Sequence, residues 1–170
     1  MRVPKAILTG GGAAVGKTTA IRAMYSFANS SVIWQDCDIV RRATVDDNYE
    51  QATTVNRAIY RLCIEHHLSM LIDGTMARHG DRVIQQIYEM VAVGYLITIV
   101  FFTCDLETAL KRNLRRDLVL PDEWIRDSPK LAMETFERAK PLVSVWHHFD
   151  TSSGKVCYVD GNQNLERKLL

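Results

Sequence analysis

The stretch Leu8-Thr9-Gly10-Gly11-Gly12-Ala13-Ala14-Val15-Gly16-Lys17-Thr18-Thr19-Ala20-Ile21-Arg22-Ala23-Met24 sets the terms for the whole chain. Four glycines and two alanines leave almost no side chain before Lys17 and two threonines arrive. A chain built this way curls tightly and turns successive N–H groups inward, so the backbone itself becomes a binding surface. The apolar run Lys5–Thr9 precedes it and reads as a buried strand; from Lys17 to about Ala28 the sequence reads as a helix. Strand, curled loop and helix N-terminus together make a cradle for an anion, with the positive end of the helix dipole behind it.

Gly11 to Thr18 fits G-x-x-x-x-G-K-[ST], the phosphate-binding P-loop pattern, in the required strand-to-helix context. The nucleotide-binding set is therefore Gly11, Gly12, Ala13, Ala14, Val15, Gly16, Lys17, Thr18 and Thr19. Lys17 reaches the β- and γ-phosphates, and the Thr18 hydroxyl is a ligand for Mg²⁺. The cofactors expected are ATP and Mg²⁺. The sequence shows no N/T-K-x-D guanine signature, and the chain is short for a motor, so a phosphotransferase is the expected class.

Working outward, strands and helices alternate. Ser31–Gln35, Ser69–Asp73, Tyr95–Phe102 and Val156–Val159 read as strands, and helical spacing recurs at Val55/Ile59/Leu62, Val83/Ile87/Met90 and Leu106/Leu110/Leu114. Pro121 and Pro129 are read as breaks, with a helix over Lys130–Lys140 and a short one from Asn164. Alternation of this kind predicts an α/β fold: a three-layer α/β/α sandwich with a mostly parallel sheet, the nucleoside-kinase-like P-loop NTPase architecture, in one domain over 1–170. Ligands then bind at the carboxyl ends of the strands.

Those ends carry acids. After the second strand come Asp36 and Asp38, with Arg41 three residues on. A carboxylate there can take the proton of an acceptor hydroxyl, which makes Asp38 the general base, while Arg41 and Asp36 face the acceptor. The bland alternative is an N-cap opening a helix. The third strand closes on Asp73, a second Mg²⁺ position, followed by acceptor-facing Thr75 and Arg78. Arg112, Arg115 and Arg116 share a helical face before a proline-punctuated stretch, read as a small lid around 112–129. Arg112 and Arg116 there are assigned to the charge that develops during transfer.

Composition limits the alternatives. The 170 residues are 47% hydrophobic and 24% charged with a formal net charge of +1, so no strongly basic nucleic-acid platform is indicated. No stretch is apolar enough to span a bilayer, and Met1-Arg2-Val3-Pro4 leaves no room for a secretory signal. Four scattered cysteines without a C-x-x-C pair read as reduced thiols, which places the chain in the cytoplasm.

Taken in order, "GGGAAVGKTT" (10–19), "DCDIVRR" (36–42), "LIDGT" (71–75), "GYLITIVFF" (94–102) and "LKRNLRRDLVLPDEWI" (110–125) resemble the zeta-toxin-like and polynucleotide-kinase-like P-loop kinases. The resemblance runs over about residues 5–155. It implies Asp38 as base, Arg41 on an anionic part of the acceptor, and Arg112 and Arg116 as lid arginines on the nucleotide. It implies as acceptor a nucleotide sugar in one branch, with a small antitoxin as partner, and the 5′-hydroxyl of a nucleic acid in the other. A nucleotide-binding switch without an acceptor is the rival from another class.

Overall fold

The computed structural model describes residues 3–24 and 31–162. Six strands form one sheet: β1 (Lys5–Gly10), β2 (Ile33–Asp36), β3 (Met70–Asp73), β4 (Leu96–Thr103), β5 (Val145–Asp150) and β6 (Cys157–Gly161). Their spatial order is β2-β3-β1-β4-β5-β6. The first five are mutually parallel and β6 runs antiparallel on β5. The helices are α1 (Lys17–Met24), α2 (Cys37–Arg42), α3 (Tyr49–Glu65), α4 (Gly80–Ala92), α5 (Leu106–Asn113) and α6 (Asp122–Ala139). The expected helix from Asn164 lies outside the described residues, as does the stretch of the first helix beyond Met24.

Central β4 reads Leu-Ile-Thr-Ile-Val-Phe-Phe-Thr, β-branched and aromatic after its first residue, and its Ile99–Phe102 stretch is buried on both faces. Its alternation splits the core. Ile97, Ile99 and Phe101 join Ala6, Met70, Ile87, Met90 and Phe136 on the face covered by α3, α4 and α6. Val100 and Phe102 join Leu71, Phe149, Ala20 and Ile21 on the face covered by α1. The Phe101 and Phe136 rings stack with centroids 4.2 Å apart, which fixes α6 against the sheet. At the end of α4, Gly94 takes φ +85°, so the chain reverses there and drops into β4.

Two boundaries depart from expectation. Proline does not break α6: the helix starts after Pro121 and runs straight through Pro129. The ring lies where a methyl added to Gly12 would meet it, at 2.7 Å from Cγ, so Pro129 packs on the loop glycine and the helix tolerates one lost backbone bond. The second is α2, which the sequence presented only as a cap: Asp36 accepts from the amides of Asp38 (2.8 Å) and Ile39 (3.3 Å) and opens a six-residue helix.

Candidate active site

The loop between β1 and α1 is held from three sides. Gly11 donates its amide to the Thr75 carbonyl (3.1 Å), and Ala13 donates its amide to Ser128 Oγ on α6 (2.8 Å). The Val15 carbonyl accepts from Thr151 Oγ1 (2.5 Å) and from Arg112 Nη1 (3.1 Å). Gly11 sits at φ +127° with the Phe102 carbonyl directly against the place a Cβ would occupy, so only glycine fits. Gly16 is at φ +89°, and Arg112 Nη1 lies 3.3 Å from where a Cβ would stand. The small residues thus serve two ends: curvature for the loop and room for its neighbours.

Lys17 folds back onto the loop, donating to the carbonyls of Gly12 (2.7 Å) and Gly11 (3.2 Å). Burial pushes its ammonium down to about 8; the charges of Asp73 and Asp38 pull upward and that of Arg116 pushes further down. All three side chains therefore share one electrostatic neighbourhood with Lys17. Thr18 Oγ1 donates to Asp73 Oδ2 (3.0 Å), and Thr9 Oγ1 donates to Asp73 Oδ1 (2.5 Å). Two hard oxygens of different residues, one of them a carboxylate, fit the sparse protein share of a Mg²⁺ shell that is otherwise phosphate and water. No cluster of three His, Cys, Asp or Glu suited to a metal occurs among the described residues.

Asp38 is bracketed. Tyr49 donates to its Oδ1 (2.9 Å), Arg116 donates to its Oδ2 (3.3 Å), and Arg41 Nε stands 3.8 Å from Oδ1. Arg41 itself is buried, stacks on the Tyr49 ring and pairs with Asp47 at 2.9 Å. Asp36 carries a carboxyl whose pKa is raised, first by burial and then by the nearby charge of Asp73. Its oxygen faces the α2 amides, so the structure places Asp36 as a helix cap beside the site.

Beside Asp73 a cleft opens between α3 and α4. It holds about 240 Å³ and is lined by Asp73, Thr75 and Arg78 together with residues of both helices. The sequence-derived site residues thus fall into two groups. Lys17, Thr18, Asp73, Asp38 and Arg116 converge, with Thr75 and Arg78 on the adjoining cleft. Arg112 is instead committed to the loop backbone and to Thr151, whose carbonyl takes its second donor at 2.6 Å; it braces the loop. Thr19 is exposed on α1.

Comparisons with known proteins bear on the family and the fold. Residues 7–136 match the AAA_33 family model, described as an AAA domain. The chain belongs to that family. Its fold is that of the P-loop kinase-like domains. The PezAT toxin–antitoxin structure of Streptococcus pneumoniae is similar at a TM-score of 0.76 and 16% identity, over 98% of this chain and 76% of that one. AvrRxo1-ORF1:-ORF2 solved with ATP gives 0.72 and 15%, over 94% of this chain and 58% of that one. The Pnkp1/Rnl/Hen1 RNA repair complex gives 0.62 and 18%, over 81% and 47%. The chain thus spans little more than half of the AvrRxo1 chain and less than half of the RNA repair chain. No curated protein sequence matches significantly.

Several site residues were not singled out by the sequence. Thr9 on Asp73, Tyr49 on Asp38, Ser128 on Ala13 and Thr151 on Val15 are each polar residues whose partner lies far along the chain or on another element. Among the described residues, no helix is long and apolar enough to cross a membrane, and Cys37, Cys63, Cys104 and Cys157 are free thiols.

Proposed function

We propose that the protein is an ATP- and Mg²⁺-dependent kinase that transfers the γ-phosphate to an alcohol of a small molecule. The observation that carries this is the bracketed Asp38: a carboxylate at the mouth of a phosphate-binding loop, within the electrostatic reach of Lys17, has no use in a switch that only binds nucleotide. The acceptor oxygen attacks the γ-phosphorus. The bond from that phosphorus to the β,γ-bridging oxygen breaks, ADP leaves, and the hydroxyl proton passes to Asp38. Lys17 swings from the Gly11 and Gly12 carbonyls to the β- and γ-oxygens, and Arg116 offsets the charge spread over the γ-phosphoryl group. Thr18 and Asp73 would hold Mg²⁺, which would screen the phosphate charge.

The cleft beside Asp73 supplies the acceptor site, with Thr75 and Arg78 on its wall. The small-molecule acceptor rests on the zeta-toxin-like resemblance of the sequence, which implies a nucleotide sugar as one example. Likeness to the RNA repair complex supports a nucleic-acid hydroxyl as the second reading. A protein partner such as an antitoxin, a cytoplasmic location and a lid over 112–129 belong to the same proposal.

Labelled ATP with a panel of acceptors tests it. Asp38→Asn is expected to keep nucleotide binding and to lose transfer by about 10²–10⁴-fold. Normal transfer by this variant defeats the base assignment. Label moving only to water favours the switch, and label on oligonucleotide ends selects the second reading.

A further inference from the structure

The guanidinium groups around the site divide sharply. Arg41 is taken by Asp47, Arg116 by Asp38 and Arg112 by the Val15 and Thr151 oxygens. Arg57 on α3 and Arg78 and Arg82 at and after the start of α4 all line the cleft, and none has an ion-pair partner among the described residues. Arg78 only stacks on the Trp124 ring. Asp73 is the single carboxylate on the wall, and it already accepts two threonine hydroxyls. Three unpaired cations against one engaged acid make a cavity that favours an anion.

The uncharged lining is equally unfinished. Gln35 is 5% exposed, yet its amide nitrogen finds only sulfur, Met70 Sδ at 3.5 Å and Cys63 Sγ at 3.9 Å. Asn56 donates to the Ala52 carbonyl (3.0 Å) and leaves Oδ1 buried with no donor. A buried amide without a proper partner carries a desolvation cost that a ligand hydroxyl relieves. Size sets the other bound. Pockets for drug-sized ligands hold about 300–1,000 Å³. This one holds about 240 Å³, which suits a compact, hexose-sized body.

We propose, resting on the kinase reading above, that the acceptor is a compact polyhydroxylated molecule carrying a carboxylate or phosphate, which Arg57, Arg78 and Arg82 grip in the cleft while one of its hydroxyls emerges past Asp73 toward the phosphate loop. A charged handle held by arginines fixes the hydroxyl that reacts, and excludes neutral polyols for want of that handle.

The test separates this inference from the kinase reading. With the loop saturated by a non-hydrolysable ATP analogue, so that phosphate probes cannot occupy it, gluconate, glucose 6-phosphate, glucose and UDP-N-acetylglucosamine are titrated calorimetrically. Gluconate or glucose 6-phosphate is expected to bind at least about tenfold tighter than glucose; which of the two does so distinguishes carboxylate from phosphate. In the Arg57→Gln/Arg82→Gln double variant that affinity falls about 10–100-fold, the scale of charge-assisted hydrogen bonds. Its affinity for the ATP analogue and its melting temperature stay as in the parent. Glucose binding as well as the charged probes, an unchanged affinity in the double variant, binding of UDP-N-acetylglucosamine alone, or no binding at all overturns the inference. The same probes with ATP then report on the reaction. Charged probes that bind without any transfer leave the cleft inference standing and sink the kinase; transfer to a neutral alcohol or an oligonucleotide end does the reverse.

Discussion

Tyr49 Oη donates to Asp38 Oδ1 at 2.9 Å, across eleven residues and from the first turn of α3 to the first turn of α2. The same ring carries the Arg41 guanidinium on its face. The proposed base is therefore held from the acceptor-side helix, while Arg116 holds its other oxygen from the segment after α5.

Tyr49→Phe keeps the ring and removes that bond. An exposed hydrogen bond to a charged group contributes on the order of 1 kcal/mol, so kcat should fall about fivefold to tenfold. KM for ATP should stay unchanged, because the loop is untouched. Steady-state kinetics with each substrate varied in turn checks this; a change confined to ATP binding contradicts it.

Lys17 gives a pH dependence. Its ammonium is pushed down to about 8 by burial, against an ordinary value of 10.5. Nucleotide brings negative charge to it and raises that value, so above about pH 8 binding takes up a proton. ATP affinity is then flat below about pH 7 and weakens as pH rises through 8, by up to about tenfold per unit. Calorimetry in buffers of different ionisation heat reads the proton directly, and Lys17→Met abolishes the effect. For folding the sign is opposite. Between about 8 and 10.5 the unfolded chain binds the proton and the folded one does not, so the Lys17 contribution to stability rises with pH across that window.

Asp73 holds both Thr9 and Thr18. Asp73→Asn should raise the Mg²⁺ concentration for half-maximal transfer about 10–100-fold, and a chelator should stop transfer in the parent protein. A metal titration of the labelled-ATP assay measures both.

Asn113 is fully buried and clasps the loop that follows α5, donating to the Leu120 carbonyl (2.8 Å) and accepting from the Leu120 amide (3.0 Å). Asn113→Ala leaves the half-buried Leu120 N–H and C=O without this partner, at about 1–2 kcal/mol and roughly 2–8 °C in melting temperature. Thermal denaturation followed by circular dichroism reads the loss, and kcat should fall with it because Arg116 rides on that loop.

The phosphate loop was legible because its signal is contiguous: composition, spacing and flanking elements all fall within seventeen residues. Asp38 and Asp73 were legible because parallel sheets put function at strand ends. The cleft was not. Thr53, Asn56, Arg57 and Tyr60 lie at i, i+3, i+4 and i+7 on α3, and His79, Arg82, Val83 and Gln86 repeat the spacing around α4. A polar helical stripe has the same periodicity whether it meets water or another helix, so the sequence reads it as a solvated face. Pro129 misled for a related reason: proline signals a break locally, while its packing against Gly12 depends on a residue more than a hundred positions away.

The segment between Arg112 and Ser128 is fastened to the phosphate loop at both its roots, by Arg112 on Val15 and by Ser128 on Ala13. Like a drawbridge with both chains bolted to one sill, it cannot ignore what that sill carries. In the proposed kinase, a shift in the curve of the loop on nucleotide binding is therefore expected to reach Arg116 from both ends of this segment, and through Arg116 the carboxylate of Asp38.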